Sequence, residues 1–235
     1  MRDGEVRLYV IADRGVFTSD EAWLGAIAAV APAVAASAVA QLQVRVKGLP
    51  PGERCALIRR AAEILGGDAR RAILNGSVDE ALAHGYGGAH YPEAALPDAI
   101  PATPAGFTVG TSVHSLPALE RATRAGAAFV LFGPVFDAGS KPVAGAGLEA
   151  LREVSSTSTL PVLAVGGITP ERVEECARAG GSGVAVVTGI FLAADPAAAV
   201  CAYARACENS RAVPAAGLQA SAGRTENAFS RGEKS

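Results

Sequence analysis

The sequence predicts a single (β/α)8 barrel of the TIM type, and three observations predict it. Eight short runs of β-branched and aromatic residues alternate with helical segments between residues 6 and 209, the grammar of a parallel sheet. The runs are apolar throughout rather than alternating, as strands covered on both faces are. Gly133, Gly166, Gly167 and Gly189 all stand at the C-terminal ends of these runs. In barrels of this type that rim carries the chemistry, and the loops after the last two strands bind phosphate. A doubly wound sheet is the alternative reading of the same pattern.

Taken in order, residues 6–11 (VRLYVI) are a first strand. Thr18 and Glu21 have capping-box spacing ahead of Trp23, Leu24, Ile27 and Val30, which recur at helical spacing. Residues 39–46 (VAQLQVRV) are the second strand. Gln41, Gln43 and Arg45 share one parity, which places Gln43 and Arg45 on the lumen side and Lys47 at the rim. Pro50 and Pro51 open a helix that carries Leu57, Ile58, Ala61, Ile64 and Leu65 on one face and stops at Gly66.

Residues 71–74 are the third strand, followed by Asn75-Gly76-Ser77 and a short helix over 78–84. Residues 88–91 form a minimal fourth strand, and a proline-rich loop leads to the fifth, 107–113, which ends at His114. Ser115 caps the next helix and Gly126 closes it. Residues 127–132 are the sixth strand, with a helix over 148–154 beyond its long loop. Residues 161–165 and 183–187 are the seventh and eighth. Thr169 caps the helix between them, with Pro170 at its first position. A further helical turn follows at 189–193, and Asp195 caps a last helix that reaches residue 209. From residue 210 the periodicity stops, so the barrel spans 1–209 and residues 210–235 read as a disordered tail.

A chain of 235 residues can bury one large core, and a formal charge of −2 offers no basic face for nucleic acid. The most apolar stretch, 25–40, is mostly alanine, contains Pro32 and is too short to span a bilayer; the first ten residues have no signal-peptide core. A cytoplasmic protein without membrane or nucleic-acid partners is expected. The four cysteines show no C-x-x-C spacing, lie in predicted helices, and read as reduced core residues.

Six motifs in order now resemble one family. They are Leu8-Tyr9-Val10-Ile11-Ala12-Asp13-Arg14, Gln43-Val44-Arg45-Val46-Lys47, Ser112-Val113-His114-Ser115, Phe132-Gly133-Pro134-Val135-Phe136, Val165-Gly166-Gly167-Ile168 and the run Gly183 to Ile190. Together they look like the thiamine phosphate synthase / thiazole tautomerase (TenI) superfamily. The resemblance implies that synthases carry a magnesium-binding aspartate in an Asn-Asp-Arg stretch after the third strand, where this chain has Asn75-Gly76-Ser77. It implies a second such aspartate after the fourth strand, where Tyr91-Pro92-Glu93-Ala94-Ala95 has none and Glu93 is out of place. Magnesium needs carboxylate oxygens and normally neutralises a pyrophosphate leaving group. The stretches around Asn75 and Ser112 are more similar to the tautomerase branch, whereas Gln43, Arg45 and Lys47 together are more similar to synthases.

The resemblance therefore implies a metal-independent tautomerase acting on a thiazole carboxylate phosphate, with His114 as its acid/base. The alternatives are a synthase that couples a pyrimidine diphosphate to thiazole phosphate, using Mg²⁺, and a non-catalytic phosphate-ligand-binding homologue. No cofactor is expected under the first reading, and a homo-oligomer is compatible with all three. A histidine at a rim strand end suits proton transfer; its plain alternative is a residue preceding a helix cap. His90 reads as a packed strand-end residue and His84 as a solvated helix end. Gly166, Gly167, Thr188 and Gly189 are candidate phosphate ligands, or else only tight turns. Arg45, inside a strand, needs an anionic partner. Gln43, Lys47, Asn75 and Lys141 complete the candidate substrate-binding set, with solvated lysine the plain reading of Lys141.

Overall fold

The computed structural model describes residues 7–137 and 145–210. Eight parallel strands close into a barrel in chain order: β1 (Arg7–Asp13), β2 (Ala40–Arg45), β3 (Ile73–Asn75), β4 (Gly88–Tyr91), β5 (Thr108–Val113), β6 (Phe129–Phe132), β7 (Val162–Val165) and β8 (Gly183–Val186). The seam pairs Leu8 of β1 with Val184 of β8. The helices are α1 (Asp20–Ala36), α2 (Pro51–Leu65), α3 (Val78–Ala83), α4 (Leu116–Ala125), α5 (Gly147–Thr157), α6 (Val173–Arg178), α7 (Thr188–Phe191) and α8 (Pro196–Asn209). Only a 3-10 turn, Glu93–Ala95, follows β4. The predicted barrel is thus the observed fold. No helix among the described residues is long and apolar enough to cross a membrane.

Strand parity sorts the core into two shells. The outer shell packs Leu8, Val10, Leu42, Val44, Leu74 and Val184 against the helices. Trp23 on α1 is fully buried in it, and its indole N–H donates to the Ala12 carbonyl at 3.1 Å, which fixes α1 to β1. The inner shell is small: Tyr9, Ile11, Ile73, Phe129, Leu131, Leu163 and Ala185. Phe129 fills the middle of the lumen, its ring 5.1 Å from Tyr9 and 6.0 Å from His90. It lies where a side chain at Gly110 would project, so glycine is required opposite it.

Several local expectations shift. Ser19, not Thr18, caps α1: its hydroxyl accepts from the Ala22 amide, and Glu21 instead pairs with Arg60. Strands 2, 3, 5, 6 and 7 begin one or two residues later than the apolar runs suggest, because barrel pairing rather than propensity decides where a ladder starts. Ile64 is exposed, since α2 turns only Leu57, Ile58, Ala61 and Leu65 inward. Cys176 and Cys207 are buried, whereas Cys55 and Cys201 lie exposed on outward helix faces and are not core residues; all four are free thiols. Asp195 and Ser115 cap α8 and α4 as predicted, and Gly126 closes α4 in the left-handed region. Ser210 is buried at the end of α8; the rest of the predicted tail lies outside the described residues.

Gly110→Ala would drive a methyl into the Phe129 ring and is expected to destabilise the barrel by about 1–3 kcal/mol in urea unfolding. Gly25→Ala, whose new Cβ meets open space within α1, is the control and should be neutral or mildly stabilising.

Candidate active site

The C-terminal ends of the strands bring the titratable groups together. β5 ends at His114, whose ring stands exposed at the mouth. Its Nδ1 lies 2.6 Å from Oε2 of Glu93, in the turn after β4. A carboxylate can only accept, so Nδ1 carries the hydrogen and Nε2 is left as the nitrogen able to take or give a proton at the mouth. Glu93, out of place as a metal ligand in the sequence reading, is therefore the residue that orients His114. They are 21 residues apart in sequence and become neighbours only because β4 and β5 pair.

His90 is different. It is 1% exposed, and its Nε2 lies 3.0 Å from the Ser112 hydroxyl, one step below His114 on the same face of β5. Burial, helped by the positive charges of Arg45 and Lys47, pushes its pKa down to about 3. It is a packed, neutral histidine, as expected. Its Nδ1, the Gln43 Oε1 and the Tyr9 hydroxyl are buried without a hydrogen-bond partner among the described residues. Gln43 thus faces the lumen as its parity predicted, but it is buried well inside.

Arg45 also points inward, but its partner is internal. It forms an ion pair with Asp13 at the end of the neighbouring strand β1, in register with it. Arg45 needs an anionic partner, and Asp13 supplies one. Asn75 is buried and donates from Nδ2 to the His90 carbonyl at 3.3 Å. Lys47, Asn75, Ser77, Tyr91 and Pro92 line a rim pocket of about 500 Å³. Arg54, from the first turn of α2, joins them.

Across the mouth, β7 and β8 pair side by side and bring Gly166, Gly167, Thr188 and Gly189 together. Gly166 and Gly167 have φ of +98° and +61°. A Cβ on Gly167 would sit 2.7 Å from the Asp137 carbonyl oxygen, so the turn lies tightly under the loop after β6. Arg172 locks it, donating to the Gly167 carbonyl at 2.6 Å with its guanidinium 4.4 Å from the Phe136 ring centre. Gly189 leaves space for Tyr203, whose hydroxyl donates to the Ile168 carbonyl. These glycines are needed for packing whether or not a ligand binds. Lys141 lies outside the described residues.

A second cavity, of about 570 Å³, opens at the opposite end of the barrel among Arg7, Gln41, Arg70, Arg71 and Thr108. Its size does not make it the site. The His114–Glu93 pair and the glycine turns lie at the C-terminal rim, the end that carries chemistry in this fold.

Sequence reasoning missed Glu93, Arg54, Glu80, Asp13 and Arg172. One signal was available: Ser77 and Glu80 have capping-box spacing, and the Ser77 hydroxyl does accept from the Glu80 amide. The Glu80 carboxylate, however, does not return to Ser77 but pairs with Arg54.

Residues 8–190 match the family model described as thiamine monophosphate synthase. A thiamine-phosphate synthase of Methanoculleus marisnigri is 36% identical over 200 residues, covering 82% of this chain and 90% of its own. Among solved structures, a thiamine phosphate pyrophosphorylase of Pyrococcus furiosus superposes with a TM-score of 0.65 at 25% identity, covering 86% of this chain and 96% of its own. A 3-hexulose-6-phosphate synthase superposes at 0.63 with 21% identity, covering 86% of this chain and 99% of its own, a likeness of fold.

Folded His90 stays neutral down to about 3, while in the unfolded chain it takes a proton near 6.5. Between these values the unfolded chain binds more protons, so the contribution of this residue to stability falls as pH drops from 6.5 toward 3. Carboxylates titrate below about 5. In urea unfolding, His90→Gln is therefore expected to flatten the loss of stability between pH 6.5 and 5 relative to the wild type.

Proposed function

The chain belongs to the thiamine monophosphate synthase family, and on that premise we propose that it is an enzyme of thiamine biosynthesis acting as a thiazole tautomerase. Its substrate would be a thiazole carboxylate phosphate, converted from a non-aromatic to the aromatic tautomer. The observation that carries this reading is the exposed His114 imidazole, oriented by Glu93 at 2.6 Å. Aromatisation removes a proton from a ring carbon and delivers one to another atom. One imidazole does both, with Nε2 as base and then, as imidazolium, as acid. Glu93 fixes the ring and offsets the charge while the proton is held. The turns at Gly166, Gly167, Thr188 and Gly189 are the proposed phosphate seat, on the opposite side of the mouth from the rim pocket.

The same reading needs no metal. Magnesium requires several free oxygen ligands in near-octahedral array. The acidic side chains at this part of the mouth each have a partner within the chain: Asp13 has Arg45, Glu80 has Arg54 and Glu93 has His114. These residues do not fit a divalent ion.

A second reading is thiamine phosphate synthase, joining a pyrimidine diphosphate to thiazole phosphate with Mg²⁺. The names of the relatives favour it over isomerisation, and so does the run Gln43, Arg45, Lys47.

Turnover separates them. His114→Asn is expected to lower tautomerisation by roughly 10²-fold or more while phosphate-ligand binding persists, the usual scale of general acid–base catalysis. Glu93→Gln should lose less, and His90→Asn less still. Wild-type tautomerisation should proceed in EDTA. Magnesium-dependent coupling with no tautomerisation would establish the synthase instead, and ligand binding with neither reaction would mark a binding protein.

A further inference from the structure

The rim pocket between β2 and β4 is organised around a guanidinium. The Nε of Arg54 donates to the Val46 carbonyl at 3.1 Å and its Nη2 to the Asn75 carbonyl at 3.0 Å, and its Nη1 pairs with Glu80. One residue therefore ties the ends of β2 and β3 to α3. The pair also fills the space of a missing side chain. A Cβ on Gly76 would collide with the Glu80 carboxylate and lie 3.2 Å from Nη2 of Arg54. A side chain at position 76 would displace the Glu80 carboxylate that occupies its place, and the cation that this carboxylate holds belongs to the chain itself.

Those three contacts use three of the five N–H donors of Arg54, leaving donors on its terminal nitrogens, and the side chain still lines the pocket at 23% exposure. Burial lowers the pKa of Arg54 from its ordinary value, a desolvation cost that an anion in the pocket would offset. Lys47 adds a second basic side chain to the same wall. A planar guanidinium with free donors matches a carboxylate in particular.

We propose that Arg54, held by Glu80 and assisted by Lys47, forms a metal-free subsite for a carboxylate group of the substrate, on the opposite side of the mouth from the β7 and β8 glycine turns. This rests on the tautomerase reading, whose substrate carries a phosphate and a carboxylate. Arg54 supplies there the positive charge that a divalent ion would otherwise bring, and the two anionic groups of one small molecule are read at two separate places on the rim.

The test is calorimetric binding to the full chain, in EDTA, of the aromatic thiazole carboxylate phosphate and of thiazole phosphate lacking the carboxylate. Arg54→Gln is expected to weaken the carboxylated ligand by about tenfold or more, the scale of charge-assisted hydrogen bonds, and the other ligand by less than about twofold. Glu80→Gln should move the other way, holding or tightening the carboxylated ligand, because it removes a competing anion. Arg54→Lys, which keeps the charge, should fall between wild type and Arg54→Gln, and covers the case in which the glutamine variant does not fold. Equal weakening of both ligands would make Arg54 only a loop clamp and overturn the proposal. So would unchanged affinity, or binding that appears only with Mg²⁺. Because no turnover is measured, carboxylate-selective binding without tautomerisation would sink the catalytic reading alone. Tautomerisation with equal weakening would sink this one alone.

Discussion

A closed barrel of eight short parallel strands leaves a lumen that must be filled, and here one ring does most of the filling. Phe129 crosses toward Gly110, with Tyr9 and His90 against it. Among the described residues the buried apolar inner shell is only seven side chains, so the upper lumen is left to Gln43 and His90. A neutral imidazole and an amide can be buried at a cost that charged groups could not meet unpaired. Among the described residues no lysine, arginine, aspartate or glutamate is buried. The division between a neutral interior histidine and an exposed, carboxylate-held one follows from how far each lies above Phe129. Two histidines on adjacent strands thereby take different roles without any difference in their intrinsic chemistry.

At the mouth, charge is settled locally. Asp13 and Arg45 face each other across β1 and β2, Arg54 and Glu80 join the loops after β2 and β3, and Glu93 meets His114 across β4 and β5. Each pair links neighbouring βα units, so the same contacts that neutralise the rim also fix its loops relative to one another. Opposite them, the β7 and β8 turns are held by packing: Gly167 under the Asp137 carbonyl, Arg172 against Phe136, Tyr203 in the space left by Gly189. One half of the mouth is built from ion pairs and the other from close backbone contacts. An asymmetric ligand with distinct ends suits such a mouth better than a symmetric one.

Much of this could be read in the chain. The apolar runs gave the strand count and order, and β4, four residues long, was placed to the residue. The parity of Gln43 and Arg45 was right because a strand has only two faces. His114 and the glycine turns lie at strand ends, where sequence position alone puts them on the rim. The misses share one cause. Asp13, Arg54, Glu80 and Glu93 are defined by partners that the barrel brings from another βα unit, and sequence spacing carries no trace of such contacts. Arg45 shows the consequence: the need for an anion was legible, but whether a ligand or Asp13 supplies it was not. Glu80 shows the converse, a local capping signal whose carboxylate was drawn away by a cation from α2.

Gly76 bears on why relatives with this fold can differ in chemistry. A residue there with a side chain would project into the mouth, but in this chain Glu80 and Arg54 stand in that volume. The two arrangements are mutually exclusive: a carboxylate at 76 needs Glu80 elsewhere, and Glu80 in its present place needs glycine at 76. Glu80 in turn holds Arg54, its counterion in a half-buried place. Three positions on two βα units are thus packed against one another. Family membership goes with the barrel, while this linked trio puts an Arg54–Glu80 pair, rather than a side chain of residue 76, at this wall of the mouth. Under the proposed reading, Gly76, Glu80 and Arg54 are the positions at which group transfer and proton transfer would part.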